Sequence, residues 1–383
     1  MMLPRRLLDI PGFSIDRVAA AAGNDPEVLR MENLDTDLKP PRAAIEATRG
    51  ALESKEANSY LPFTGRLELR SAIADRLRRQ TNYLYGPEHV VITCGGTEAT
   101  LDVLLALTDP GDEVFLTDPC YAGTIMRVRL AGAAPKFFPW QPDARGWHLD
   151  LDAFEHGITS ATKALVLMSP SMPNGGFINA DEWDRIARIC QDHSLWLIYI
   201  AAMEKILFGG LPLLHPAAVD GMAERTITIG SVSKEFRMIG WRIGWAVAPT
   251  AVIGSVARAH IYNVVTPPGI TQVGAAAAFQ APNDDFEVCR AEWERRHDTV
   301  MSELANYPVV PAAGGWSLLM NVHKLGFNAE AASDRLLRLG KIAATPMTHW
   351  GDRVAPQHVR FVFSNEPVDR LRGLGDRVRR ALG

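Results

Sequence analysis

The sequence predicts an α/β fold, with a large domain built on a mixed, mostly parallel sheet and a smaller α+β domain. Two observations carry this. Short apolar runs recur without strict alternation, as in strands buried on both faces of a parallel sheet, and helical patterns separate them. After about Ala278 that rhythm gives way to a long helix and shorter strands.

The apolar runs, in order, are His89–Thr93, Glu113–Leu116, Ala164–Met168, Leu195–Ile200 and Thr226–Ile229, with Trp245–Ala248 closing the series. Each is short and rich in Val, Ile, Leu or Ala, which suits a buried strand. Helical patterns cover Glu98–Leu107, Ala122–Leu130 and Asp181–His193. Ala275–Ala278 reads as a closely packed helix segment. Beyond it, a helix containing Glu292–His297 leads to strands at Trp316–Asn321 and His358–Phe363 and to two helices. Between Arg370 and Arg380, basic residues alternate with Leu371, Leu374 and Val378, the spacing of one terminal helix with a solvated face. No internal repeat or low-complexity tract interrupts the series.

A chain of 383 residues with 47% apolar content can bury a sizeable core in two domains. Forty basic and 44 acidic residues leave a net charge of −4, which favours neither nucleic acid nor an anionic membrane as a partner. Cys94, Cys120, Cys190 and Cys289 are spread without metal-ligand spacing, so no metal is expected and the thiols read as reduced, in a cytoplasmic enzyme. Met1–Ile10 carries two arginines but no long apolar region, and Pro11-Gly12 follows at once, so no signal peptide is expected. No run approaches the about 18 apolar residues of a membrane span.

The chemistry concentrates in Ser231-Val-Ser-Lys-Glu-Phe-Arg-Met-Ile-Gly-Trp-Arg-Ile-Gly-Trp245. Lys234 follows an apolar strand, where a sheet delivers a reactive group to a ligand. A lysine there serves as a phosphate contact or as a covalent amine. Upstream, Val90-Val-Ile-Thr-Cys-Gly-Gly-Thr-Glu-Ala99 is a strand, a two-glycine turn and a helix start. Such a turn can cradle a phosphate on free N–H groups, or can hold its glycines for sterics alone. In Thr117-Asp-Pro-Cys-Tyr-Ala122, Tyr121 stands at a strand end, placed either to stack on a flat ligand or to pack on the core. His358-Val-Arg-Phe-Val-Phe-Ser364 is a strand carrying Arg360, which calls for a carboxylate, from a ligand or from the protein.

Taken together, Ser-x-Ser-Lys, Gly-Trp-Arg-x-Gly-Trp and Asp-Pro-x-Tyr resemble the segments of class I/II aminotransferases, enzymes of fold type I that use pyridoxal 5'-phosphate. The resemblance extends from about Met31 to the C-terminus. It implies an N-terminal arm with part of the small domain over 1–45, a large cofactor-binding domain over 46–275 and a small C-terminal domain over 276–383. It implies that Lys234 is the catalytic lysine and carries the cofactor. Gly96, Thr97, Ser231, Ser233 and Arg242 would hold its phosphate, Tyr121 would stack on its ring, and Arg360 would pair with the substrate carboxylate. Asn58-Ser-Tyr-Leu-Pro-Phe-Thr-Gly65 resembles the segment whose tyrosine, here Tyr60, reaches the phosphate of a neighbouring subunit. That implies a homodimer with shared active sites. The substrates implied are an amino acid and a 2-oxo acid.

Three positions depart from the family pattern. Ser169-Pro-Ser-Met-Pro-Asn-Gly175 puts Met172 where the family has an asparagine facing the cofactor's phenolic oxygen. Ile200-Ala-Ala-Met203, aligned through Glu204-Lys205, puts Ile200 at the aspartate that faces the pyridine nitrogen and Met203 at the tyrosine. An isoleucine cannot keep that nitrogen protonated, so impaired transamination is expected. Two other readings stay open: a different pyridoxal-phosphate reaction, such as β-elimination or oxidation of an amino acid, and a non-catalytic binding or regulatory protein on the same scaffold.

Overall fold

The computed structural model describes Leu7, residues 10–281 and residues 285–383. Helix α1 (Ser14–Ala22) and strand β1 (Leu29–Met31) precede α2 (Arg42–Ala51), α3 (Leu67–Thr81), β2 (Val90–Thr93) and α4 (Gly96–Leu107). Next come β3 (Glu113–Asp118), α5 (Ala122–Leu130), the hairpin β4 (Ala134–Asp143) and β5 (Gly146–Leu149), and α6 (Leu151–His156). Then follow β6 (Thr162–Leu167), α7 (Ala180–Asp192), β7 (Trp196–Ile200), β8 (Thr226–Ser231) and β9 (Gly244–Val247). After α8 (Thr250–Asn263), α9 (Gly269–Gln280) and α10 (Phe286–Glu303) come β10 (Ser317–Asn321), α11 (Ala329–Gly340), β11 (Ile342–Pro346) and β12 (His358–Val362). The chain ends in α12 (Val368–Leu371) and α13 (Leu374–Leu382).

An eight-stranded sheet has the order β2-β9-β8-β7-β6-β3-β4-β5. The pairs β7–β8, β6–β7, β3–β6 and β3–β4 are parallel, while β9 runs against both β2 and β8. Every residue of β2, β8 and β9 is buried, which accounts for their apolar runs without alternation. A four-stranded sheet of order β1-β11-β12-β10 combines strands from both ends of the chain. Its first member, β1, pairs in parallel with β11.

Some expectations change. The single terminal helix is two helices, α12 and α13, because Gly373 between them has a left-handed φ of 82°. The β4–β5 hairpin and strand β1 have no counterpart in the sequence reading. Pro135, Pro139 and Pro142 all lie within β4, and prolines argue against a strand.

The sheet register positions the site. Strands β2, β3, β6, β7 and β8 end at one edge of the sheet, and β9 begins there. Gly244 faces Thr93 on one side and Ser231 on the other. The turn after β2, the turn after β8 and the chain just before β9 therefore converge. A Cβ on Gly244 would lie 2.4 Å from the backbone of Gly95 and Gly96, so only glycine permits this approach.

Candidate active site

A cavity of about 330 Å³ opens at this edge. Lys234, Ser231, Ser233 and Arg242 line it from the β8–β9 connection, and Gly96 and Thr97 from the start of α4. Tyr121 enters from the start of α5, Met172 from the loop after β6, and Ile200 and Met203 from the end of β7. Arg360 reaches it from β12. Eleven of the twelve residues singled out in the sequence thus meet in one cavity. Tyr60 does not: it is 84% exposed on the surface.

The turn between β2 and α4 is shaped for an anion. Gly95 has φ of 82° and precedes α4, whose first N–H groups have no acceptor within the helix. A Cβ on Gly95 would lie 2.4 Å from Nη2 of Arg242, so the missing side chain admits the guanidinium. Arg242 itself is held in left-handed backbone geometry at φ 54°, and its Nη1 donates to Ile239 O at 3.0 Å.

Lys234 donates from Nζ to Leu34 O at 2.6 Å, and the amine lies 5.1 Å from the ring centroid of Trp316. Burial lowers its pKa to about 7. Asp35 opposes this, while Arg360 and Arg242 add to it. Near neutral pH a large share of the amine is therefore unprotonated, as a nucleophile or base requires.

Arg360 is fully buried. It donates to Glu32 O and to Thr345 Oγ1, both uncharged oxygens, and its Nε has no partner. The carboxylate of Glu32 is taken by Arg30 at 2.6 Å. Burial pushes the Arg360 pKa down to about 10 against the pull of Tyr121 and Glu32. Among the described residues no carboxylate forms an ion pair with Arg360, Arg242 or Arg127. Of the three, Arg360 is buried, Arg127 is half-buried and Arg242 is exposed; a buried cation left unpaired, as Arg360 is, is a site for an incoming anion. Tyr121 meets Phe13 and Trp350 edge-on at 5.9 and 5.7 Å, and those two rings also meet at 6.5 Å.

The opposite wall is apolar. Met172 and Met203 are buried and Ile200 is half-buried, and none of them offers a proton donor to a ligand. Eleven further lining residues carry no signal in the sequence, Phe13, Asp16 and Arg127 among them. Phe13 and Asp16 come from the N-terminal segment, which carries no motif. Arg127 sits on α5 among apolar neighbours, and only the packing of α5 on α4 brings it to the cavity.

Behind the anion turn lies a buried charged cluster. His260 Nδ1 is 2.6 Å from Glu98 Oε1, and its Nε2 is 3.0 Å from Phe63 O. Asp102 lies beside them, and the other oxygen of Glu98 accepts from Cys94 N. Burial disfavours a charged ring, but Glu98 and Asp102 outweigh it and raise the His260 pKa.

The sequence matches the family model described as aminotransferase class I and II over residues 29–374. It is 30% identical over 357 residues to arginine–pyruvate transaminase of Pseudomonas aeruginosa, covering 92% of this chain and 90% of that one. It is 33% identical over 362 residues to a probable N-succinyldiaminopimelate aminotransferase of Mycobacterium tuberculosis, covering 88% and 90%. The solved N-succinyldiaminopimelate aminotransferase of M. tuberculosis superposes with a TM-score of 0.90 at 31% identity, over 99% of each chain. Aspartate aminotransferase of Thermus thermophilus, solved with maleate, superposes with a TM-score of 0.91 at 28% identity, over 100% of each.

Proposed function

Because this chain belongs to the class I and II aminotransferases, which depend on pyridoxal 5'-phosphate, we propose that the cavity around Lys234 is its active site. The activity is transfer of an amino group from an amino acid to a 2-oxo acid. The observation that carries the site is Lys234 itself, a half-buried amine with a pKa near 7 in a cavity also lined by two guanidiniums that have no carboxylate.

The residues fit the cofactor at its two ends. The Gly95-Gly96 turn, the start of α4 and Arg242 suit the phosphate, and the Lys234 amine suits the aldehyde. When bound, the cofactor supplies a carbonyl for amines and a ring that withdraws electrons. Lys234 would hold it through its amine and, when that amine is free and unprotonated, would carry the proton from the substrate Cα. Arg360 fixes the substrate carboxylate through its fork of donors and so orients Cα over Lys234. Tyr121 would stack on the ring.

The ring edge is where this chain departs. Met172, Ile200 and Met203 offer it no hydrogen bond, so we assign to Ile200 a slowed proton removal. The competing reactions, β-elimination and oxidation, use the same lysine and are separated by product analysis with and without a 2-oxo acid. The account expects 2-oxo product that depends on added 2-oxo acid in repeated turnover. Ammonia or peroxide released without it would overturn the reading.

The active form is a homodimer. Tyr60, Phe63, Leu67, Tyr262 and Val265 are all exposed, Tyr262 by 91%. The bond between His260 and Phe63 O joins the loop carrying Tyr60 to the end of α8, and we read these residues as one apolar surface for the second copy. The second copy's Tyr60 would reach the phosphate. Domains run over 1–45, 46–275 and 276–383, with α9 spanning the second boundary. No described helix is long and apolar enough to cross a membrane. Four free cysteines support a reducing, cytoplasmic setting.

A further inference from the structure

The cavity contains a cation that the family resemblance does not assign. Arg127 lines it beside Thr97 and Thr100. Its Nε donates to Thr97 O at 2.6 Å and its Nη1 to Gly123 O at 2.7 Å. Both acceptors are uncharged, and Nη2 has no protein partner among the described residues. Carbonyls satisfy donors without neutralising charge, so a poorly solvated guanidinium still lacks a counter-ion. The site makes room for it: a Cβ on Gly123 would lie 2.5 Å from the Tyr121 ring and 2.8 Å from Arg127 Nη1.

Charge points to the partner. Three guanidiniums line the cavity without a carboxylate: Arg127, Arg242 and Arg360. Asp16 is the only acidic residue in the lining; like Arg242 it is exposed, whereas Arg127 is half-buried. Three positive charges match a phosphate dianion and one α-carboxylate. Arg360 belongs to the small sheet, with Met172 and Trp350 against it. Arg127 is tied through Thr97 to the turn at the head of α4, on which Arg242 also closes.

We propose that Arg127 is a second phosphate-binding cation, which shares the cofactor's phosphate dianion with Arg242. The inference rests on reading this turn as the phosphate cradle. It also explains how a ring without polar contacts at its edge stays bound: the hold moves to the phosphate end.

The test compares the release of pyridoxal phosphate from the loaded protein with equilibrium binding of pyridoxal, which lacks the phosphate. The unaltered chain, Arg127→Gln and Arg127→Lys are measured at several salt concentrations. Loss of a charge-assisted bond should speed release of pyridoxal phosphate on the order of ten- to a hundredfold in Arg127→Gln. Arg127→Lys should fall between, and pyridoxal binding should be unchanged. Unchanged release, or equal losses for both ligands, would overturn the proposal and leave Arg127 a brace for the turn. Thermal unfolding of each variant identifies a folding defect, in which case the phosphorus resonance of the bound cofactor in Arg127→Lys decides. A resonance that differs from the unaltered protein's in position and salt response supports contact, and an identical one rejects it. If the unaltered protein binds both ligands equally, the cradle reading itself fails.

Discussion

Nη1 of Arg360 lies 3.7 Å from the sulfur of Met172, and the same guanidinium stands 4.6 Å over the ring of Trp350. The group proposed to read the substrate carboxylate thus touches Met172, one of three apolar side chains proposed to face the edge of the cofactor ring. Neither neighbour neutralises it. Arg360→Ala should raise the dissociation constant for amino acids by the equivalent of about 2–5 kcal/mol. Release of the cofactor should barely change. Titration of the loaded protein with amino acids checks this, and unchanged substrate affinity would remove Arg360 from the site.

Ile200 ends β7, in register with Ile229 on β8. If it faces the pyridine nitrogen, Ile200→Asp restores a buried carboxylate there and speeds removal of the α-proton, while Ile200→Asn does not. Single-turnover rates for the three proteins, with α-deuterated amino acid as a control for the proton step, separate the cases. An Asp variant that binds cofactor but reacts no faster would show that Ile200 packs away from the ring.

Tyr60→Phe should weaken retention of the cofactor without lowering the unfolding temperature, because an exposed side chain contributes little to its own chain's stability. Light scattering together with absorbance tests this. A monomer that holds a full complement of cofactor would rule out the shared site.

Burial and the neighbouring Glu98 push the Asp102 pKa up to about 7. A carboxyl whose pKa is raised on folding binds more protons in the folded chain between about pH 4 and pH 7. Stability is therefore lost as pH rises through that window. Asp102→Asn removes this loss, so its advantage in melting temperature should be larger at pH 8 than at pH 5. Parallel curves for the two proteins would mean that Asp102 is ionised throughout.

Much of the candidate site's lining is legible in the sequence because each part lies in a short segment with its own chemistry. Ser231–Trp245 states a strand end, a lysine and an arginine in order, and Gly95-Gly96 states a turn that a backbone must approach closely. What stayed hidden depends on packing between distant segments. Arg127 has no motif, and it reaches the cavity only because α5 lies on α4. Asp118 looked like part of a stacking motif, yet its carboxylate accepts from the backbone N–H groups of Arg353, Val354 and Ala355, fastening the loop before β12 to β3. The strand β4 was masked by its prolines, and β1 by its length of three residues.

Lys234 is proposed to carry the cofactor. Borohydride reduction of the loaded protein, followed by digestion and mass mapping, tests it most directly. A single modified peptide with the cofactor's mass on Lys234 is expected, and no labelling of Lys234→Ala at this cavity. Label on another lysine, or a cofactor that washes away after reduction, would contradict it.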